Sequence, residues 1–140
     1  MLSLILVCSG AVMNTVHAQP ASSPSLKASY MDTVSQNLIP RKVKGSTSTL
    51  NGSITFNVVY DDYYGWGFDS VKSYNLYLTG PYVGYGWGYE SLEVESVTYK
   101  LYDYGKSIDV RIKGQVRENG FFCDDLYPFD ETYTFDYYGY

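Results

Sequence analysis

The sequence predicts an all-β domain, a small antiparallel β-sandwich, on three grounds. Apolar residues recur at every second position through four runs, Gly-rich stretches separate those runs, and one pair of runs fixes its own hairpin register. Ile54, Phe56, Val58 and Tyr60 alternate with Thr55, Asn57 and Val59, and Tyr74, Leu76 and Leu78 alternate with Ser73, Asn75 and Tyr77. Ile108, Val110, Ile112 and Val116 alternate with Asp109, Arg111, Lys113 and Arg117; Tyr133, Phe135 and Tyr137 alternate with Thr134 and Asp136. A period of two in segments rich in β-branched and aromatic residues means strands with one buried face. Two packed antiparallel sheets bury such faces most economically.

The hairpin can be argued residue by residue. With a turn at Tyr104-Gly105, Asp103 faces Lys106, Leu101 meets Ile108, Tyr99 meets Val110 and Val97 meets Ile112. Lys100 then meets Asp109 on the opposite face. Apolar pairs on one face and an opposite-charge pair on the other define a stable register. Further back the phase slips, because Leu92, Val94, Val97 and Tyr99 all belong inside. One extra residue at Glu95-Ser96 repairs it, placing Val94 near Gly114 and Leu92 opposite Val116. A β-bulge is therefore predicted opposite Lys113. Tyr104 is unusual here, since tight primed turns favour Asn, Asp or Gly.

Ahead of the β domain, residues 1–18 read as a secretion signal. An apolar run, Leu2 to Val7, leads to Val16-His17-Ala18, whose small residues suit cleavage after Ala18, although no Lys or Arg precedes the run. Residues 19–49 read as a flexible N-terminal linker. Within it Leu26, Tyr30, Val34 and Leu38 recur every four residues, which predicts a short helix over 26–38 stopping before Pro40. The antiparallel β domain is expected over 50–140. The predicted location is exported, secreted or periplasmic. No segment is apolar enough for a helical membrane span, and residues 50–140 hardly supply the eight strands of about ten residues that the smallest outer-membrane barrels need.

Losing residues 1–18 would remove His17, the only histidine, and Cys8. Triads built on His and His-based zinc sites are then unavailable, so no enzyme is expected. Cys123, in Phe121-Phe122-Cys123, reads as a small buried apolar residue, with an intermolecular disulfide or reactive thiol as the sharper alternative. The formal charge of −5 combines +3 over residues 19–48 with −8 over 49–140. That acidity disfavours nucleic acid.

The main functional candidate is an internal echo. Tyr64-Gly65-Trp66-Gly67-Phe68-Asp69-Ser70 returns as Tyr85-Gly86-Trp87-Gly88-Tyr89-Glu90-Ser91. Flanking glycines let the backbone turn and leave each indole unshielded. Tyr64, Trp66, Phe68, Tyr85, Trp87 and Tyr89 are candidate ligand-binding rings that could cover the apolar face of a sugar, with Asp69 and Glu90 accepting from its hydroxyls. The alternative is that these rings plug the ends of a sandwich core. In composition alone the loops resemble Gly- and aromatic-rich loops of bacterial lectins and adhesins, and that resemblance transfers no site.

Two acidic loop clusters are calcium candidates: Asp61 and Asp62 with Asp69, and Asp124 and Asp125 with Asp130 and Glu131. Solvated turn residues are the plainer reading. Arg111, Lys113 and Arg117 form a basic strand face that could meet an acidic polysaccharide or guard an exposed edge. No cofactor is otherwise expected. The leading expectation is an exported binding module whose aromatic loops contact an extracellular glycan or envelope polymer. Alternatives are a self-associating structural or matrix protein, suggested by seventeen tyrosines, and a protein-binding or inhibitor module.

Overall fold

A computed structural model describes residues 4–6, 12–15 and 30–138. The described strands are β1 (Leu4–Leu6), β2 (Val12–Thr15), β3 (Tyr30–Asn37), β4 (Arg41–Lys42), β5 (Thr49–Asp61), β6 (Gly65–Thr79), β7 (Glu90–Tyr102), β8 (Ser107–Glu118) and β9 (Asp125–Asp136). They form two antiparallel sheets, ordered β1-β7-β8-β9 and β2-β6-β5-β3, with β4 also pairing with β5. The expected β-sandwich is the fold observed.

The predicted inward residues make a single core between the sheets. Ile54, Phe56, Leu76, Ile108, Val110, Ile112 and Val116 are fully buried. Phe56 sits at its centre, with ring centroids 4.7 Å from Phe68 and 5.1 Å from Phe135. Contacts of this kind add about 0.5–1.5 kcal/mol each beyond area burial.

The β7–β8 hairpin has the predicted register: Leu101 opposite Ile108, Tyr99 opposite Val110, Val97 opposite Ile112 and Lys100 opposite Asp109. Pairing then jumps from Ser96–Lys113 to Val94–Gly114, so Glu95 is the extra, bulged residue. Gly114 accommodates the close approach there, because a Cβ would lie 2.3 Å from the Glu93 carbonyl oxygen. Two further bulges lie on β6, at Asp69 and Lys72, where pairing with β5 skips a residue. They were legible by the same logic. Phe68, Val71 and Tyr74 are all buried and spaced by three, and each three-residue gap needs one extra residue to keep the next side chain inward.

The strands place two distinct ends on the sandwich. At one, called here the turn end, lie the β5–β6 turn (62–64) and the β7–β8 turn (103–106). At the other, the loop end, lie the β6–β7 connection (80–89), the β8–β9 connection (119–124) and the β4–β5 turn (43–48). Asp103, Tyr104 and Gly105 all have positive φ, and the Lys106 N–H donates to the Asp103 carbonyl. Tyr104 thus adopts the left-handed conformation that a primed turn demands and that tyrosine rarely takes.

Three expectations change. Residues 30–37 form strand β3, not a helix, and 26–29 lie outside the described residues. A four-residue spacing selects one face of a strand as well as one face of a helix, and the free edge of β5 supplies backbone partners that an isolated helix would lack. Residues 30–49 belong to the domain and are not a linker, since Leu38 and Val43 are in the core and Ser46 and Ser48 are buried. Lastly, β8 lies between β7 and β9, so its basic face guards no edge.

The two arginines of that face are paired with carboxylates. Arg111 makes a two-pronged hydrogen bond to Asp130, and Arg117 bridges Glu93 and Asp124. Glu93 is buried and also accepts from the Gln115 amide. Burial opposes its ionisation, but the hydrogen bonds from Arg117 and Gln115 and the Arg117 charge outweigh it and hold the carboxyl below its ordinary value of 4.5. A carboxyl depressed in the native state adds stability that is complete above its unfolded pKa and lost as pH falls through its folded one. Denaturant midpoints should therefore drop from about pH 5 downward, and Glu93→Gln should flatten that drop. Arg117→Ala should cost about 3 kcal/mol at neutral pH by stranding the Glu93 charge.

Candidate binding site

The two copies of the Tyr-Gly-Trp-Gly motif lie at opposite ends of the molecule. The first begins at the turn end and runs directly into β6. Asp61 caps this turn, its Oδ1 accepting the Tyr63 and Tyr64 N–H groups at 2.8 Å each. Trp66 lies opposite Tyr60 in the ladder, with ring centroids 5.7 Å apart, and it packs half-buried against the core. Phe68 is fully buried. Asp69 accepts the Ser70 hydroxyl at 3.0 Å. Tyr64 lies over Tyr104 from the other sheet, centroids 4.0 Å apart and planes 7° apart. In this copy Phe68 belongs to the core and Trp66 packs against it, while Tyr64 stays exposed.

The second copy is a loop at the other end. Gly86 and Gly88 have φ of +97° and +79°, so the segment turns away from any strand ladder. The Gly88 N–H donates to the Asn119 carbonyl at 2.7 Å, and the Asn119 N–H donates to the Tyr89 carbonyl at 3.0 Å. These bonds lash the 80–89 connection to the 119–124 connection. Trp87 is 71 % exposed and meets Phe121 edge-on at 4.7 Å; Phe121 meets Phe122, 94 % exposed, at the same separation. Tyr82, Tyr85 and Tyr89 are exposed beside them. Cys123 is exposed too, contrary to the buried reading, because the chain reverses here with no sheet above it. Phe121 and Phe122 join the surface beyond the residues that the repeated motif singles out. Their signal was the unbroken Phe-Phe pair in a predicted loop, where core strands do not reach.

Glu90 is not available as a hydroxyl acceptor at this surface. It is 2 % exposed and braces the β4–β5 turn, accepting the Thr47 N–H at 3.0 Å and the Thr47 hydroxyl. Asp124 and Asp125 are the exposed carboxylates near Phe121 and Phe122, and Arg117 donates to Asp124 at 2.8 Å.

The proposed acidic clusters do not assemble. In the first group Asp61 caps its own turn and Asp69 takes the Ser70 hydroxyl, and in the second Asp124 takes Arg117. Asp130 takes Arg111, and Glu131 takes Arg41 at 2.8 Å. Among the described residues no group of three or more His, Cys, Asp or Glu side chains could hold a metal ion.

Two open grooves lie on the β3–β9 side. One, of about 420 Å³, is lined by Gln36, Arg41, Tyr133, Asp136 and Tyr138 among others. A smaller one, of about 260 Å³, is lined by Asp32, Val34, Val58, Trp66 and Tyr137. Arg41 crosses the first, its guanidinium 4.1 Å from the Tyr133 ring centroid and donating to the Thr132 carbonyl. It ties the sheets together there.

No protein-family profile, curated protein or solved structure matches this chain. The two tryptophans separate by stability. Trp66→Ala should destabilise by about 2 kcal/mol, as loss of a half-buried indole requires. Trp87→Ala should stay within about 0.5 kcal/mol of wild type in denaturant unfolding.

Proposed function

We propose that this chain is an exported β-sandwich binding module that contacts a glycan or cell-envelope polymer through Trp87, Phe121 and Phe122. The supporting observation is the row of exposed rings on two loops held together by backbone hydrogen bonds. Contiguous exposed apolar surface on a small domain marks an interaction site. Flat rings cover the C–H faces of successive sugar units, while Asp124, Asp125 and the tyrosine hydroxyls of the 80–89 loop take the polar contacts. An open surface of this kind suits a long polymer better than an enclosed small molecule.

A polysaccharide pull-down tests it. Wild-type protein should be retained on at least one envelope polymer, and Trp87→Ala/Phe121→Ala should lose retention at least tenfold while keeping the wild-type unfolding midpoint. Equal retention of both proteins on every polymer would defeat the proposal.

A second reading rests on Phe122. A ring so exposed, lacking any polar atom and next to a thiol, also suits an apolar protein partner or a second copy of the chain. Light scattering at high concentration discriminates the self-association form. A strictly monomeric wild type would rule it out, and dissociation by Phe122→Ser would support it.

Export has its own consequence for the fold. Cleavage after Ala18 would remove β1 and β2, which pair with Leu92–Val94 of β7 and Ser73–Leu76 of β6. Both sheets would then present an open edge on the same side. N-terminal sequencing of the exported protein should read Gln19 first. Hydrogen exchange at 73–76 and 92–94 should be faster than in a form retaining residues 1–18. An exported protein that still begins at Met1 would overturn the leader.

A further inference from the structure

We infer that Tyr64 and Tyr104 form a site of oxidative cross-linking, at which a single carbon–carbon bond between the two phenol rings staples one sheet to the other. Their ring centroids are 4.0 Å apart and their planes 7° apart, the closest and most nearly parallel of the ring pairs described above. Coupling of two phenoxyl radicals at their ortho carbons requires two rings held in contact for the lifetime of the radicals. Here the contact is built in. Tyr64 stands on the β5–β6 turn fixed by the Asp61 cap, and Tyr104 stands on the β7–β8 turn in a left-handed backbone conformation. Such a conformation costs about 1–3 kcal/mol, and it aims the Tyr104 ring across the gap between the sheets.

Both rings are reachable by an oxidant. Tyr64 is 36 % exposed and Tyr104 51 %. Tyr63 contacts Tyr64 at 4.9 Å between centroids and is itself highly exposed, so it offers a further oxidisable ring leading into the pair. The Tyr64 phenol titrates above its ordinary 10.0, through hydrogen bonding with Tyr104, burial, and the negative charges of Tyr104 and Asp61. Tyr64 therefore loses a proton together with its electron.

The balance is simple. Each phenol gives up one electron and one proton to become a phenoxyl radical. The two radicals join at ring carbons, and each ring regains aromaticity by moving its ortho hydrogen to oxygen. Overall the protein loses two hydrogens, and one hydrogen peroxide, acting through a haem peroxidase, is reduced to two waters. The described residues contain one cysteine, Cys123, so no disulfide between described residues plays this stapling role. The cross-link would join turns on different sheets at the end opposite the Trp87 surface, so it is independent of polymer binding.

The test is treatment of dilute protein with a haem peroxidase and limiting hydrogen peroxide. The expected product is a monomer lighter by two hydrogens, with the blue fluorescence of dityrosine, and with the peptides carrying Tyr64 and Tyr104 joined on proteolysis. Its thermal midpoint should rise. Tyr64→Phe and Tyr104→Phe keep the ring contact, so both should fold, and each should lose the monomeric product at least tenfold. Tyr63→Phe should still form it. A monomeric cross-link that persists in Tyr64→Phe would overturn the inference. So would products that are only intermolecular, joined through Tyr63 or Tyr138, at high dilution.

Discussion

Every strand of this sandwich must deliver its apolar residues into one shared layer, and the rest of the structure follows from how that demand is met. A strand inverts its faces with each residue, so a phase error of one would bury charge and expose the core. The chain corrects the phase three times, at Asp69 and Lys72 on β6 and at Glu95 on β7. Each correction inserts an unpaired residue and sharpens the local twist. The Phe56–Phe68–Phe135 cluster can form only because the β6 bulges return Phe68, Val71 and Tyr74 to the same side.

The same constraint explains why two nearly identical heptads behave differently. Tyr64–Ser70 continues into a strand whose ladder partner, β5, is already in place, so Phe68 falls inward and Trp66 is pinned against Tyr60. Tyr85–Ser91 has no partner strand along residues 84–88, and its glycines take positive φ. Its Trp87 is left outside. The position of Asp69 became a bulge, whereas the matching Glu90 became a buried brace on Thr47. Equal sequence produced unequal structure because the backbone partner, not the side chain, decides whether a segment joins a sheet.

Charge follows a similar division. Arginines from the β4 region and β8 meet Glu131, Asp130, Asp124 and Glu93, so these four carboxylates are engaged with cations rather than gathered around an empty centre. Exposed pairs of this kind contribute little to stability. The Glu93–Arg117 contact differs, because its carboxylate is almost fully withdrawn from water. The loop end also carries exposed apolar rings, Trp87, Phe121 and Phe122. The proposed polymer contact rests on those rings.

The sequence by itself determined the sandwich class, the inward face of the main strands, the β7–β8 register and the bulge at Glu95. These depend on alternation and on pairing between segments adjacent in the chain, so local pattern contains them. The same pattern also held the β6 bulges, in the three-residue spacing of Phe68, Val71 and Tyr74. It misread residues 30–37, because a spacing of four fits a helix face and a strand face alike and only the free edge of β5 breaks the tie. The candidate site was half legible. The glycine-spaced Trp87 loop was visible, but its junction with Phe121 and Phe122, the inaccessibility of Glu90 and the separation of the two tryptophans were not. Antiparallel strands about a dozen residues long carry consecutive loops to opposite ends, and which loops share an end depends on the path of the whole chain. Tertiary structure alone decided which aromatic rings became core and which remained surface.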